Sequence, residues 1–399
     1  MHTIAEQYVR LVLAVGLHDP DYVDAYYGPA DWKPASKTGL DELRTRTDTL
    51  AGELKRIPAP ADAMERLRYS YLTQQLSSVA ARIAMLKGQR FAFDEESKAL
   101  YDATAPVQPE SHFQQMLAEL EERFPGKTPL VERYDTFRRP FQIPKDRLDG
   151  VFQTAIAACR ERTLRNITLP EGESFTVEYV TNKSWSGYNW YQGGFKSLIQ
   201  VNTDLPVYID RALDLACHEG YPGHHVYNAL LEKHLVKDRG WIEFTVYPLF
   251  SAQSLIAEGT ANYGIEVAFP GEERVQYEQQ VLFPAAGIDP ARAREYYEVQ
   301  ALVDKLAYAG NEAARRYLNG EIDATQAAAW LEKYALMPHD RAAQRVRFFD
   351  QYRSYVINYN LGKDMVRGFV EQRAAGDRAK RWQEFAGLLS SPRLPSGLR

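Results

Sequence analysis

The feature that most constrains this chain is a helix that cannot stay regular. Residues 216–225 read Ala-Cys-His-Glu-Gly-Tyr-Pro-Gly-His-His, with a His-Glu pair at 218–219 and two further histidines at 224–225. In a straight α-helix, residue 224 lies about 240° round from 218, and residue 225 returns to the same face but about 10.5 Å further along. Neither histidine can then share one ion with His218. Pro222 lacks an N–H and its ring clashes with the carbonyl four residues back, and Gly223 is free to take conformations closed to other residues. The spacing therefore predicts a break or bulge at Pro222-Gly223. With two residues looped out, His224 takes the place of an ordinary second histidine, and it is favoured here over His225. The competing reading is a helix that stops, leaving both histidines on the surface.

The rest of the chain supplies a helical setting. Apolar residues recur at three and four over Ile4–Leu17 and Leu67–Leu86, and further helices are expected at Phe93–Ala103, Glu110–Phe124 and Lys145–Asn166. The texture changes near Leu169. Ser174–Thr181 alternates and is β-branched, and Tyr188–Tyr191 and Phe195–Asn202 flank a Gly193-Gly194 turn, so a small antiparallel sheet is expected beside the histidine helix. Helices return over Leu249–Ala268, Ala291–Asn319, Thr325–Tyr334 and Ala342–Arg373. The expected fold is mainly α, with a helical lobe over 1–165 forming one wall of a cleft and a site-bearing lobe over 166–399, the two read as one integrated unit.

Composition narrows the function. In 399 residues, 48 basic and 53 acidic side chains leave a formal charge of −5, and no polybasic run occurs. Neither nucleic acid nor a membrane surface is an expected partner. The first 20 residues read as an amphipathic helix rather than a leader. Two cysteines, Cys159 and Cys217, are too few for a disulfide framework, which points to a reducing, cytoplasmic setting with Cys217 packed as a small apolar residue.

Four of the eight histidines fall within residues 218–234. A His-Glu pair with a second histidine one turn on is how many zinc hydrolases hold their metal and their proton acceptor. A third ligand is available 33 residues past His225, where Glu258 interrupts an apolar run between Ala257 and Gly259. A carboxylate there is costly unless it pairs or binds a cation, and the small residues beside it allow close approach of the histidine helix. His218, His224 and Glu258 are thus the expected ligands of one zinc ion, with Glu219 as general base and His225 or Tyr359 steadying an oxyanion. Asp214, four residues before His218, is a candidate to orient its imidazole. His234 reads as a surface residue. Trp185, Tyr188, Trp190 and Tyr191 divide between sheet core and substrate wall, and Phe195–Asn202 is a candidate edge strand for a peptide. Arg345, Arg347 and Arg353 share a helical stretch with Tyr352, Tyr355 and Tyr359, where an arginine could hold a substrate carboxylate.

The pattern H-E-x-x-P-G-H-H followed by E-G-x-A-x-Y resembles bacterial domain-of-unknown-function family 885, grouped with the gluzincin-like zincin metallopeptidases. The likeness spans roughly Ser174 to Gly362. It implies a zinc metallopeptidase acting on a peptide or small amide. The stretch before Tyr359-Asn360-Leu361-Gly362 departs from that family, reading Arg353-Ser354-Tyr355 where a Pro-Gly-Gln element is expected. A zinc hydrolase of a non-peptide amide or ester, and a non-catalytic metal-stabilised binding protein, are the other readings of the same residues.

Overall fold

The computed structural model describes residues 1–398. It is 65% helix and 8% strand, so the mainly α class holds. The helices predicted by periodicity are present as His2–Gly16, Ala63–Leu86, Phe93–Tyr101, Glu110–Arg123 and Leu148–Leu164. Asp62 caps the second of these, accepting from the backbone N–H groups of Met64 and Glu65 at 2.9 Å. Two helices that the periodicity did not indicate, Leu40–Lys55 and Leu130–Arg138, lie between them. Both are charge-rich and bury only a few apolar side chains, which weakens the pattern.

Among the described residues, five strands form two small sheets: β1 (Val23–Tyr26), β2 (Ser174–Val180), β3 (Gly187–Gly193), β4 (Lys196–Asn202) and β5 (Val246–Pro248). The expected purely antiparallel sheet is corrected to a mixed one in the order β2-β4-β3. The β3–β4 hairpin is antiparallel, but β2 runs parallel to β4 on its other side. Phe195–Asn202 is consequently the centre of the sheet and not an edge; β3 is the edge that faces the histidine helix. Alternation reports which faces are buried and is silent on which strand is the neighbour.

The second sheet joins β1 to β5, more than 200 residues apart, with a bulge between Val23 and Ala25. The N-terminal segment is also tied to the rest by a buried ion pair, in which Arg68 donates to both oxygens of Glu243 at 2.6 and 3.0 Å. Residues 1–165 and 166–398 thus interlock.

The long helix expected at Ala342–Arg373 is broken into His339–Tyr352 and Ile357–Ala374. Arg353 sits at φ +52°, and buried Glu96 accepts from Arg353 Nε at 2.7 Å, Ser354 N at 3.1 Å and Ser354 Oγ at 2.6 Å. One carboxylate from the N-terminal half pins the break. Ala291–Asn319 is likewise split, into Ala293–Asp304 and Ala309–Leu318.

The cysteines are a second correction. Cys159, on the helix Leu148–Leu164, is bonded to Cys217, with a Cα–Cα distance of 5.6 Å. Cys217 is buried as expected but as half of a disulfide, a partner 58 residues away that local pattern does not report.

Candidate metal centre

The segment that carries the two candidate histidine ligands is built from three pieces. Helix Ile209–Leu215 widens into a π-turn over Ala216–Gly220, the chain then leaves helical geometry at Tyr221 to Gly223, and a new helix starts at His224. Gly223 is required by contact. Its N–H donates to Cys217 O at 2.9 Å, and a Cβ there would fall 1.9 Å from the carbonyl oxygen of His218. Helix Ala252–Ala268 carries Glu258. Gly259 does not face the histidine helix: it abuts the backbone of Gly362, on the C-terminal helix Ile357–Ala374. The residue that admits the broken segment is Gly264, whose Cβ position lies 3.1 Å from Pro222 Cγ.

These pieces bring three ligand atoms together. His218 Nε2 and His224 Nε2 are 3.1 Å apart, and Glu258 Oε2 lies 3.3 Å from the first and 3.8 Å from the second. Ligand atoms at 2.0–2.1 Å from a common tetrahedral zinc stand about 3.3 Å from each other. Glu258 Oε2 is buried and has no hydrogen-bond partner, whereas Oε1 accepts from Tyr355 Oη at 2.8 Å. One oxygen is thus held by the protein and the other is presented to the histidines. The set fits a zinc ion on geometry and on the chemistry of its donors. Glu219 also offers an oxygen, and with the two histidines its ligand atoms fall within 4.8 Å of one another. Its Oε1 is 4.0 Å from His218 Nε2, so Glu258 is the closer third ligand.

Three carboxylates dominate the electrostatics of the cluster. Burial alone would depress the His224 pKa, but the carboxylates of Glu258, Glu219 and Asp24 reverse this and raise it to about 9. Burial works against ionised Glu258, yet the two histidines hold its carboxyl well below the usual range. Burial pushes Glu219 up, partly offset by His218 and His224. Its carboxylate bonds no side chain or backbone N–H and sits against Gly187 of β3, where a Cβ would come within 2.8 Å of Oε1. Asn189, also on β3, donates to the Glu219 backbone carbonyl at 2.7 Å and latches the edge strand to the π-turn.

The cluster opens into a cavity of about 420 Å³, a size suited to a small ligand. Tyr359 lines it, as do Trp185 and Tyr188, while Tyr191 is buried and donates to Glu232 at 2.6 Å and Trp190 is exposed on the sheet. His225 is a correction. It faces away from the cavity and is fully buried between Phe175 and Tyr221. Glu173 Oε2 can only accept, so His225 Nε2 donates to it at 2.9 Å, and Nδ1 shares a hydrogen bond with Ser197 Oγ at 2.9 Å. It has no access to a substrate oxyanion. Asp214 pairs with Arg274 at 2.8 Å and Arg211 at 3.2 Å and not with His218. His234 is partly exposed, near Asp238.

Asp24 was not indicated by the sequence. The bulge in β1 aims it into the cavity, where it accepts from Tyr188 Oη, and burial raises its carboxyl to about 6 against that bond. Tyr355, one of several tyrosines in its stretch, proves to be the partner of Glu258. A signal for Asp24 would have needed the β1–β5 pairing, which local pattern does not contain.

No known family model matches the chain, and no curated protein matches it. Among solved structures, a candidate lipoprotein from Colwellia psychrerythraea aligns over 92% of this chain and 69% of its own, with a TM-score of 0.54 at 16% identity. A candidate lipoprotein of unknown function from Shewanella oneidensis aligns over 88% of this chain and 72% of its own, with a TM-score of 0.44 at 12% identity. The first shares the fold. Among the described residues, no helix is long and apolar enough to cross a membrane.

Proposed function

We propose that this chain is a zinc-dependent peptidase of the gluzincin-like kind, related to domain-of-unknown-function family 885. The observation that carries the reading is the convergence of His218 Nε2, His224 Nε2 and Glu258 Oε2 within 3.1–3.8 Å, beside an uncommitted Glu219, at the wall of a cavity. His218, His224 and Glu258 would hold one zinc ion, which when bound supplies Lewis-acid activation of water and of the scissile carbonyl. Glu219 accepts a proton from the attacking water and delivers it to the departing amine as the C–N bond breaks. Tyr359, whose hydroxyl bonds no other described residue, donates to the carbonyl oxygen as attack at the carbon turns it into an oxyanion. Tyr355 orients Glu258. The free edge of β3, at Gly187 to Asn189, lies along the cavity and offers backbone groups to an extended substrate.

The Cys159–Cys217 bond removes the ground for a reducing compartment and supports an oxidising one. The function is tested by metal analysis of protein purified without chelator, followed by digestion of a peptide library. About one zinc per chain and cleavage abolished by chelation and restored by zinc are expected. Full cleavage by metal-free protein would overturn the reading.

A further inference from the structure

Several buried or partly buried arginines of this protein are neutralised by carboxylates. Arg68 bonds Glu243, Arg82 bonds Asp19, Arg274 bonds Asp214 and Glu278, and Arg353 bonds Glu96. Arg345 breaks that rule. It lies on the helix His339–Tyr352, lines the same cavity as His218, Glu219 and Glu258, and makes no ion pair among the described residues. Its Nε is buried and has no hydrogen-bond partner. Its guanidinium carbon stands 4.5 Å from the Phe348 ring centroid and 5.6 Å from that of Tyr359, so aromatic faces hold its position without neutralising it. Arg341, one turn earlier on the helix, lines the cavity too and has no acidic partner; the charged groups that reach it include Arg211 and Arg138.

The charge of Glu258 reaches Arg345 only at a distance, and removing a guanidinium from water without a bonded counter-ion is costly, a cost recovered when an anion arrives. A planar fork next to the cluster that would hold the reacting carbonyl suits a planar, bidentate anion. We infer that Arg345, assisted by Arg341, is the receptor for a substrate carboxylate, so that the natural substrates are short peptides carrying a free carboxylate close to the scissile bond. This rests on the peptidase reading for the identity of the substrate but not for the existence of the anion site. The carboxylate could be the C-terminal group or an acidic side chain, and the chemistry of recognition is the same for both.

The test is binding, measured by calorimetry on the full chain carrying Glu219→Gln, which prevents turnover. The probes are glycyl-phenylalanine, its C-terminal amide, and glycyl-glutamate α-amide, whose only carboxylate is a side chain. The free dipeptide is expected to bind at least about 10-fold more tightly than its amide, the discrimination typical of a charge-assisted bidentate pair. Recovery of affinity by the glutamate amide would assign the receptor to side-chain carboxylates; its absence would assign it to the C-terminus. Adding Arg345→Gln should erase the preference, Arg345→Lys should retain part of it, and Arg347→Gln, exposed on the same helix, should leave it intact. Equal affinity for all three probes would overturn the inference, and this comparison needs no change at Arg345. If the carboxylate preference holds while wild type cleaves no peptide, the receptor stands and the peptidase reading falls. If wild type cleaves C-terminally blocked, non-acidic peptides as fast as free ones, the receptor falls and the peptidase reading stands.

Discussion

His224 and His225 are adjacent in sequence, begin the same helix, and have opposite surroundings. His225 is enclosed by Phe175 and Tyr221 and spends both ring nitrogens on Glu173 and Ser197. Glu173 in turn is held by Tyr221 at 2.6 Å and Arg160 at 2.8 Å, and these bonds keep its carboxyl below its usual range although burial pushes the other way. His224 turns its Nε2 toward another imidazole and a carboxylate oxygen that no N–H reaches. The difference separates a histidine whose hydrogen bonds are completed by the protein from one whose partners are all acceptors or potential ligands. The first is a strut; the second is free to serve as the ligand proposed above.

The sharpest way to break this comparison is to remove a ligand. Glu258→Ala should reduce bound zinc from about one per chain to near none, read by elemental analysis after gel filtration. Retention of full zinc would show that Glu219, and not Glu258, completes the set. Next in size is Glu219→Gln, which should keep its zinc and lose at least about 10²-fold in turnover, the low end for a positioned general base. A rate near wild type at matched zinc content would remove Glu219 from the chemistry. His225→Ala should do the reverse of a ligand change. It should leave zinc content alone and cost roughly 2–4 kcal/mol in stability, because it opens a cavity and takes one hydrogen-bond partner each from Glu173 and Ser197, measured by urea unfolding. Loss of metal with stability unchanged would mean that the two histidines have been assigned the wrong way round. The smallest effect is expected for Tyr355→Phe. Without its hydroxyl, Glu258 Oε1 loses its bond, and zinc affinity should fall about 10-fold in a chelator competition.

What the sequence made legible follows from range. The broken helix, its histidines and Glu258 are readable because proline and glycine chemistry acts within a few residues, and because a lone carboxylate in an apolar run is conspicuous. The helical class is readable because periodicity is local. The two charge-rich helices carried too faint a stripe. What stayed hidden depends on segments meeting across the molecule. Asp24 enters the cavity only because β1 pairs with β5, β4 becomes the middle of its sheet only because β2 crosses over it, and Cys159 meets Cys217 only when two helices pack. The break at Arg353 belongs to the same group, since its cause is a glutamate more than 250 residues earlier.

The contact between Gly259 and Gly362 has a consequence for tolerance. A Cβ at 259 would lie 2.5 Å from the carbonyl oxygen of Gly362, and one at 362 would lie 2.7 Å from that of Leu255, so two backbones touch with nothing between them. Helix Ala252–Ala268 carries Glu258, and helix Ile357–Ala374 carries Tyr359 near its start, just after Tyr355. The two hydrogen atoms at this crossing therefore act as a gauge block for the jaws of the site. A single methyl group inserted there would spread carboxylate and tyrosines apart without altering any residue that lines the cavity wall they form.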